Sequence, residues 1–133
     1  MITAVDSNIL LDFLTGSQEH GPRSAAALRL AATEGALVAS TAVWAEVIGA
    51  YDDPAMVTSR LDLLAIELVP DDRKVAIAAG RVYRAYRTAG GTRRRILPDF
   101  LIGAHAQVHA DRLLTRDRGF YQAHFSGLAI LDP

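Results

Sequence analysis

Apolar and polar positions along the chain follow two alternating periods. Short apolar runs at Ile2–Val5, Leu37–Ala39, Ile66–Val69, Arg112–Thr115 and Ala129–Leu131 predict brief strands. Longer segments between them carry apolar residues three and four apart. The clearest spans Asp72–Thr88, where Val75, Ala78, Ala79, Val82, Tyr83 and Tyr86 share one helical face. Asp71 or Asp72 can cap that helix, and Gly90-Gly91 ends it. Pro54 opens another helix in its first turn, and Pro98 stands just ahead of a helix over Asp99–Asp111. Alternating strands and helices predict an α/β fold, a three-layer sandwich with a mostly parallel central sheet flanked by helices. Phe13, Trp44, Tyr83 and Tyr86 fall at helical spacings with other apolar residues, which predicts core packing. Tyr51, near a helix end beside Asp52-Asp53, is read as either core or a partner contact.

Four acids stand out by position. Asp6 follows directly on the first strand and opens a helix, and Asp117 comes two residues after the fourth. Glu46 lies one and a half turns into the helix after Leu37–Ala39, among Val43, Trp44, Val47 and Ile48. Asp99 opens its own helix. Singly, each Asp reads as an N-cap, a role worth about 1 kcal/mol, and Glu46 as a solvated helix acid. Together they mean more, because the carboxyl ends of parallel strands share one edge, where ligand sites form. Two unit charges 4 Å apart cost about 4 kcal/mol at an effective dielectric near 20, a cost that a divalent cation removes. All-oxygen ligands select Mg²⁺ or Mn²⁺, and such an ion readily bridges to phosphate. The chemistry this predicts is metal-assisted hydrolysis of a phosphodiester.

Composition narrows the picture. A chain of 133 residues, 50% hydrophobic and without cysteine, suits one domain over 1–133 with its own core and neither disulfides nor thiolate metal sites. The N-terminus has no basic residue before Asp6, and no apolar stretch approaches the length of a bilayer span, so a cytoplasmic location is expected. Net charge is only −1, yet its distribution is uneven. Between Arg81 and Arg118 nine arginines face three acids, for a local charge of +6, and the remainder carries −7. Arg93, Arg94 and Arg95 lead straight into Asp99 and are read, with Arg116, as a phosphate-gripping rim. Arg81, Arg84 and Arg87 are read as a solvated helix face.

Four segments carry a resemblance across essentially the whole chain: Val5-Asp6-Ser7-Asn8-Ile9-Leu10-Leu11-Asp12, Trp44-Ala45-Glu46-Val47, Pro98 through Ala106, and Leu113 through Tyr121. Their order and separation resemble PIN domains, and more narrowly the VapC-type toxins of toxin–antitoxin pairs. The resemblance implies a metal-dependent endoribonuclease acting on RNA, leaving 5′-phosphate and 3′-hydroxyl ends. It implies that Asp6, Glu46, Asp99 and Asp117 are catalytic and metal-binding. Asp6 and Asp99 would hold a first Mg²⁺ or Mn²⁺ directly, Glu46 would orient the attacking water, and Asp117 would complete the site. Asn8 and Thr115 match supporting positions. A cognate antitoxin and a homodimer are implied as partners, with no membrane. Ser126 and Gln122 depart from the typical pattern, away from the proposed site.

The same residues admit other readings. His105 and His109 are four apart on one helix, but Ala106-Gln107-Val108 lacks the glutamate of a zincin motif, so both are expected to be structural or surface histidines. They are also the candidates for metal-free acid–base cleavage. A receiver-like phospho-acceptor domain wants adjacent acids near the start and a late lysine. Here Ser7 follows Asp6, and the only lysine is Lys74. A catalytically silent PIN-like binding module is the remaining alternative, and the complete quartet of acids speaks against it.

Overall fold

The computed structural model describes residues 1–91 and 96–133. In chain order the elements are β1 (Ile2–Val5), α1 (Ser7–Thr15), α2 (Gly21–Glu34), β2 (Ala36–Ala39), α3 (Thr41–Gly49), α4 (Pro54–Leu63), β3 (Ile66–Leu68), α5 (Arg73–Thr88), α6 (Leu97–His109), β4 (Arg112–Leu114), α7 (Arg118–His124) and β5 (Ala129–Leu131).

The five strands form one sheet in the order β3-β2-β1-β4-β5. Every pairing is parallel, including Val5 opposite Leu114 and Thr3 opposite Leu37, so the sheet is wholly rather than mostly parallel. Successive residues of a strand point to opposite faces, and Thr3, Ala4 and Val5 are all buried. Both faces are therefore covered by helices, as a parallel sheet requires. The strands run outward from β1 to β2 and β3, and the chain then returns across the sheet to β4. Its topological switch point thus lies between the carboxyl ends of β1 and β4.

Helix boundaries follow local chemistry. Asp72, rather than Asp71, caps α5: its Oδ1 accepts the Val75 N–H at 3.0 Å. Gly90, at φ 80°, turns the chain after α5 as predicted. α6 begins two residues before Asp99, which puts Pro98 inside the first turn and makes Asp99 its third residue. β3 stops at Leu68 and β4 at Leu114, one residue short of the predicted ends.

Ile9, Leu10, Val47, Leu61, Phe100, Leu113, Leu114 and Phe125 are buried completely or nearly so and form the core. Phe100 gathers Tyr83, Tyr86 and Phe120 around it, with ring centroids 5.1–5.3 Å apart. Trp44, Tyr51, Tyr83 and Tyr86 pack partly buried against this core, whereas Phe13 lies on the surface with 36% exposed. Gly103 is required by close approach: a Cβ there would lie 2.3 Å from the buried Phe125 ring. Among the described residues, no helix is long and apolar enough to cross a membrane.

Candidate active site at the sheet edge

The switch point between β1 and β4 carries Asp6. Its backbone N–H donates to Leu114 O at 3.0 Å, which continues the β1–β4 ladder and fixes the residue at the sheet edge. Extended backbone at Asp6 then lets the side chain cap α1, with Oδ1 accepting the Ser7 N–H at 2.7 Å. Oδ2 accepts from Thr115 Oγ1 at 2.7 Å and from Asn8 Nδ2 at 3.2 Å. Thr115 Oγ1 in turn accepts from Asn8 Nδ2 at 3.3 Å and from the Asp117 N–H at 3.0 Å. Asn8 Oδ1 accepts the Arg116 N–H at 3.3 Å. The start of α1 and the loop after β4 are thus laced together by one polar network.

Asp6 is only 4% exposed. Burial pushes its carboxyl above the usual range. Donation from Thr115, Ser7 and Tyr121 opposes that rise, and the charge of Glu46 adds to it. Tyr121 has a role that sequence reasoning did not assign. Its hydroxyl donates to Asp6, and burial together with the charges of Asp6, Asp99 and Asp117 holds the phenol protonated. Its place one helical turn after Asp117 was the available signal, since residues four apart share a face.

The charge of Glu46 thus reaches Asp6, and those of Asp6, Asp99 and Asp117 reach Tyr121. Asp6 and Asp117 sit on the network just described, with Asp117 half-buried. Asp99 is half-buried in the first turn of α6, where Oδ2 accepts the Ile96 N–H at 3.2 Å. Glu46 is exposed on α3. Arg93, Arg94 and Arg95 lie outside the described residues. Arg116 turns its guanidinium to Asp12, donating from Nε at 2.6 Å and from a terminal nitrogen at 3.0 Å. His105 is buried on α6 with Nε2 2.9 Å from Val69 O, and His109 lies 3.2 Å from Asp72 Oδ2. His105 thus has a backbone partner, and His109 makes no hydrogen bond among the described residues through its buried Nε2. Lys74 stands in the first turn of α5.

Carboxylates with no thiolate or imidazole among them are the donor chemistry that a hard cation takes. A buried carboxyl held above its usual range also fits this chemistry, because a cation would restore the charge that burial disfavours. Among the described residues, no three acidic or histidine side chains are gathered closely enough to coordinate one ion as placed.

The PIN domain pattern matches this sequence over residues 3–126, and the chain belongs to the PIN domain family. Nuclease activity is typical of that family. Among curated proteins, no sequence matches. Solved structures share the fold. VapBC2 from Rickettsia felis, bound to a DNA fragment from its promoter, aligns with a TM-score of 0.76 at 21% identity, covering 99% of this chain and 98% of that one. VapBC-1 from nontypeable Haemophilus influenzae gives 0.76 at 18% identity, covering 99% and 98%. FitAcB from Neisseria gonorrhoeae gives 0.73 at 22%, covering 98% and 96%.

Proposed function

We propose that the protein is a divalent-metal-dependent endoribonuclease and the toxin of a toxin–antitoxin pair. The observations that support this reading are the charge of Glu46 acting on buried Asp6, and the charges of Asp6, Asp99 and Asp117 acting on buried Tyr121, beside the switch point of a parallel sheet. Asp6 and Asp99 would hold Mg²⁺ or Mn²⁺, with Glu46 and Asp117 completing the set. Bound there, the ion would acidify a water and stabilise charge on the phosphate. The chain's own residues make the site ready. Thr115, Asn8 and Ser7 hold the Asp6 carboxylate in one orientation, and Tyr121 supplies a further donor that stays protonated. Exposed Glu46 is free to orient a water, and Arg93, Arg94 and Arg95, next to Asp99 in sequence, would meet the RNA backbone.

Fold neighbours that include VapBC and FitAB structures and a toxin–antitoxin complex from Klebsiella pneumoniae support an antitoxin partner for this chain, and a homodimer is part of the same reading. Purified protein with Mg²⁺ or Mn²⁺ is expected to cut RNA. Asp6→Asn or Asp99→Asn should lower the rate at least a hundredfold, the scale of losing a strong electrostatic contribution, while circular dichroism stays that of the parent. Cutting that survives excess EDTA, or Asn variants as active as the parent, would overturn the assignment.

A further inference from the structure

Asp12 is, after Asp6, the second carboxylate buried in the described structure, with 6% exposed. It lies on α1, six residues beyond Asp6. Its Oδ2 accepts Arg116 Nε at 2.6 Å and Ser24 Oγ of α2 at 2.8 Å, while Oδ1 accepts a terminal Arg116 nitrogen at 3.0 Å. A two-pronged guanidinium–carboxylate contact fixes direction as well as distance, which a lysine ammonium cannot do.

Arg116 stands between Thr115 and Asp117, the two loop residues closest to the chemistry. Its backbone N–H donates to Asn8 Oδ1, which turns the Asn8 amide so that Nδ2 faces Asp6 and Thr115. The loop after β4 is therefore tied to α1 at two heights: to Asp6 and Asn8 through Thr115, and to Asp12 through the Arg116 side chain. A single tie would allow the loop to pivot about Thr115. Two ties fix the direction of Asp117 and of the Asn8 amide together.

We propose that the Asp12–Arg116 pair, backed by Ser24, is a positioning device that sets Asn8 and Asp117 for the metal-dependent reaction. This rests on the nuclease reading given above. Arg116 then serves catalysis from the side facing the protein, as a positioning residue, and its expected role at the RNA phosphates passes to other arginines. Ser24 is fully buried on α2 and cannot touch RNA, so an effect of altering it separates the two roles.

Full-length Arg116→Lys and Ser24→Ala are compared with the parent. In metal-free protein, the Asn8 side-chain amide resonances in ¹⁵N–¹H spectra should move in Arg116→Lys. With Mn²⁺, Arg116→Lys should need about tenfold more ion for half-maximal binding by calorimetry, the scale seen on losing a group that orients a ligand. Its kcat on RNA should fall about tenfold with KM within twofold. Ser24→Ala should shift kcat in the same direction by about threefold, one hydrogen bond's share. The proposal is overturned if Arg116→Lys raises KM with kcat and Mn²⁺ requirement unchanged, which would make Arg116 a substrate contact. It is equally overturned if both variants lose thermal stability but keep the parent's kcat, ion requirement and Asn8 resonances. Should Arg116→Lys not fold, Ser24→Ala decides alone. Should the parent cut no RNA with any divalent ion, the nuclease reading fails, and the metal-free Asn8 resonances still test the positioning.

Discussion

The two halves of the acidic edge are built in different ways. Asp6 and Asp117 are held by short polar contacts between α1 and the loop after β4, with Thr115 at the centre as donor to one and acceptor from the other. Asp99 and Glu46 are placed by the helices that carry them, through the packing of Phe100 and Gly103 beneath α6 and of Val43 and Val47 beneath α3. The first half depends on groups that water can replace only imperfectly inside a buried network. The second depends on apolar surfaces that cannot shift without opening the core. Damage to each half should therefore differ in kind: loss of a hydrogen bond retunes one carboxylate, whereas loss of packing moves a whole helix.

The largest expected effect comes from the packed half. In Gly103→Ala the new methyl meets the Phe125 ring at 2.3 Å, and that ring is itself only 2% exposed. Either the ring or α6 must give way. Overpacking of a buried site costs about 1–3 kcal/mol, and so close a contact belongs at the upper end. Because Asp99 lies one turn before Gly103 on the same face, the shift should reach the site. Denaturant unfolding should show about 3 kcal/mol lost, and Mn²⁺ titration a weakened ion. A variant with the parent's midpoint would show that α6 tolerates displacement.

The polar half should be more sensitive in tuning than in stability. Thr115→Val keeps the shape of a fully buried side chain and removes the hydroxyl that donates to Asp6 and accepts from Asn8 and Asp117. Leaving buried partners unsatisfied costs about 1–3 kcal/mol. Donation from Thr115 favours the charged carboxylate, so its loss should raise the Asp6 carboxyl further than burial already does. The acid limb of the rate–pH profile should then move to higher pH, with less loss of activity at pH 8 than at pH 6. An unchanged limb would mean that Asp6 does not set it.

This contrast also explains what the sequence revealed. Asp6 and Asp117 were legible because strand-to-helix junctions can be read from apolar periodicity, and parallel topology places those junctions on one edge, whereas Asp99, in a helix that follows another helix, has no strand before it to place it. β1 and β5 were legible to the residue, since uninterrupted apolar runs bounded by polar residues leave little choice of register. α2 was not singled out, because alanine-rich Gly21–Glu34 offers a weak apolar stripe. Tyr121 had only the weak signal of its spacing from Asp117, and the Asp12–Arg116 pair and the contact of Tyr121 with Asp6 were missed for another reason. Each joins elements distant in sequence, Arg116 meeting Asp12 across 104 positions, and no local pattern encodes such a contact. Arginine in a basic stretch predicts phosphate. Only the fold shows which arginine has a buried carboxylate to face.

Glu46 offers the finest test of the comparison, because it belongs to the helix-placed half yet is exposed. Its carboxylate contributes charge to the site and almost nothing to packing. Glu46→Gln keeps size and helical preference, and surface substitutions of this kind stay within about 0.5 kcal/mol. Thermal unfolding should therefore match the parent. The charge of Glu46 is one of the influences that raise the Asp6 carboxyl, so removing it should move that group slightly downward. Loss of RNA cutting with unchanged stability would separate chemistry from architecture at this position, as Gly103→Ala cannot. If Glu46→Gln unfolds earlier by several degrees, the carboxylate has a structural partner, and the division between the two halves of the edge fails at α3.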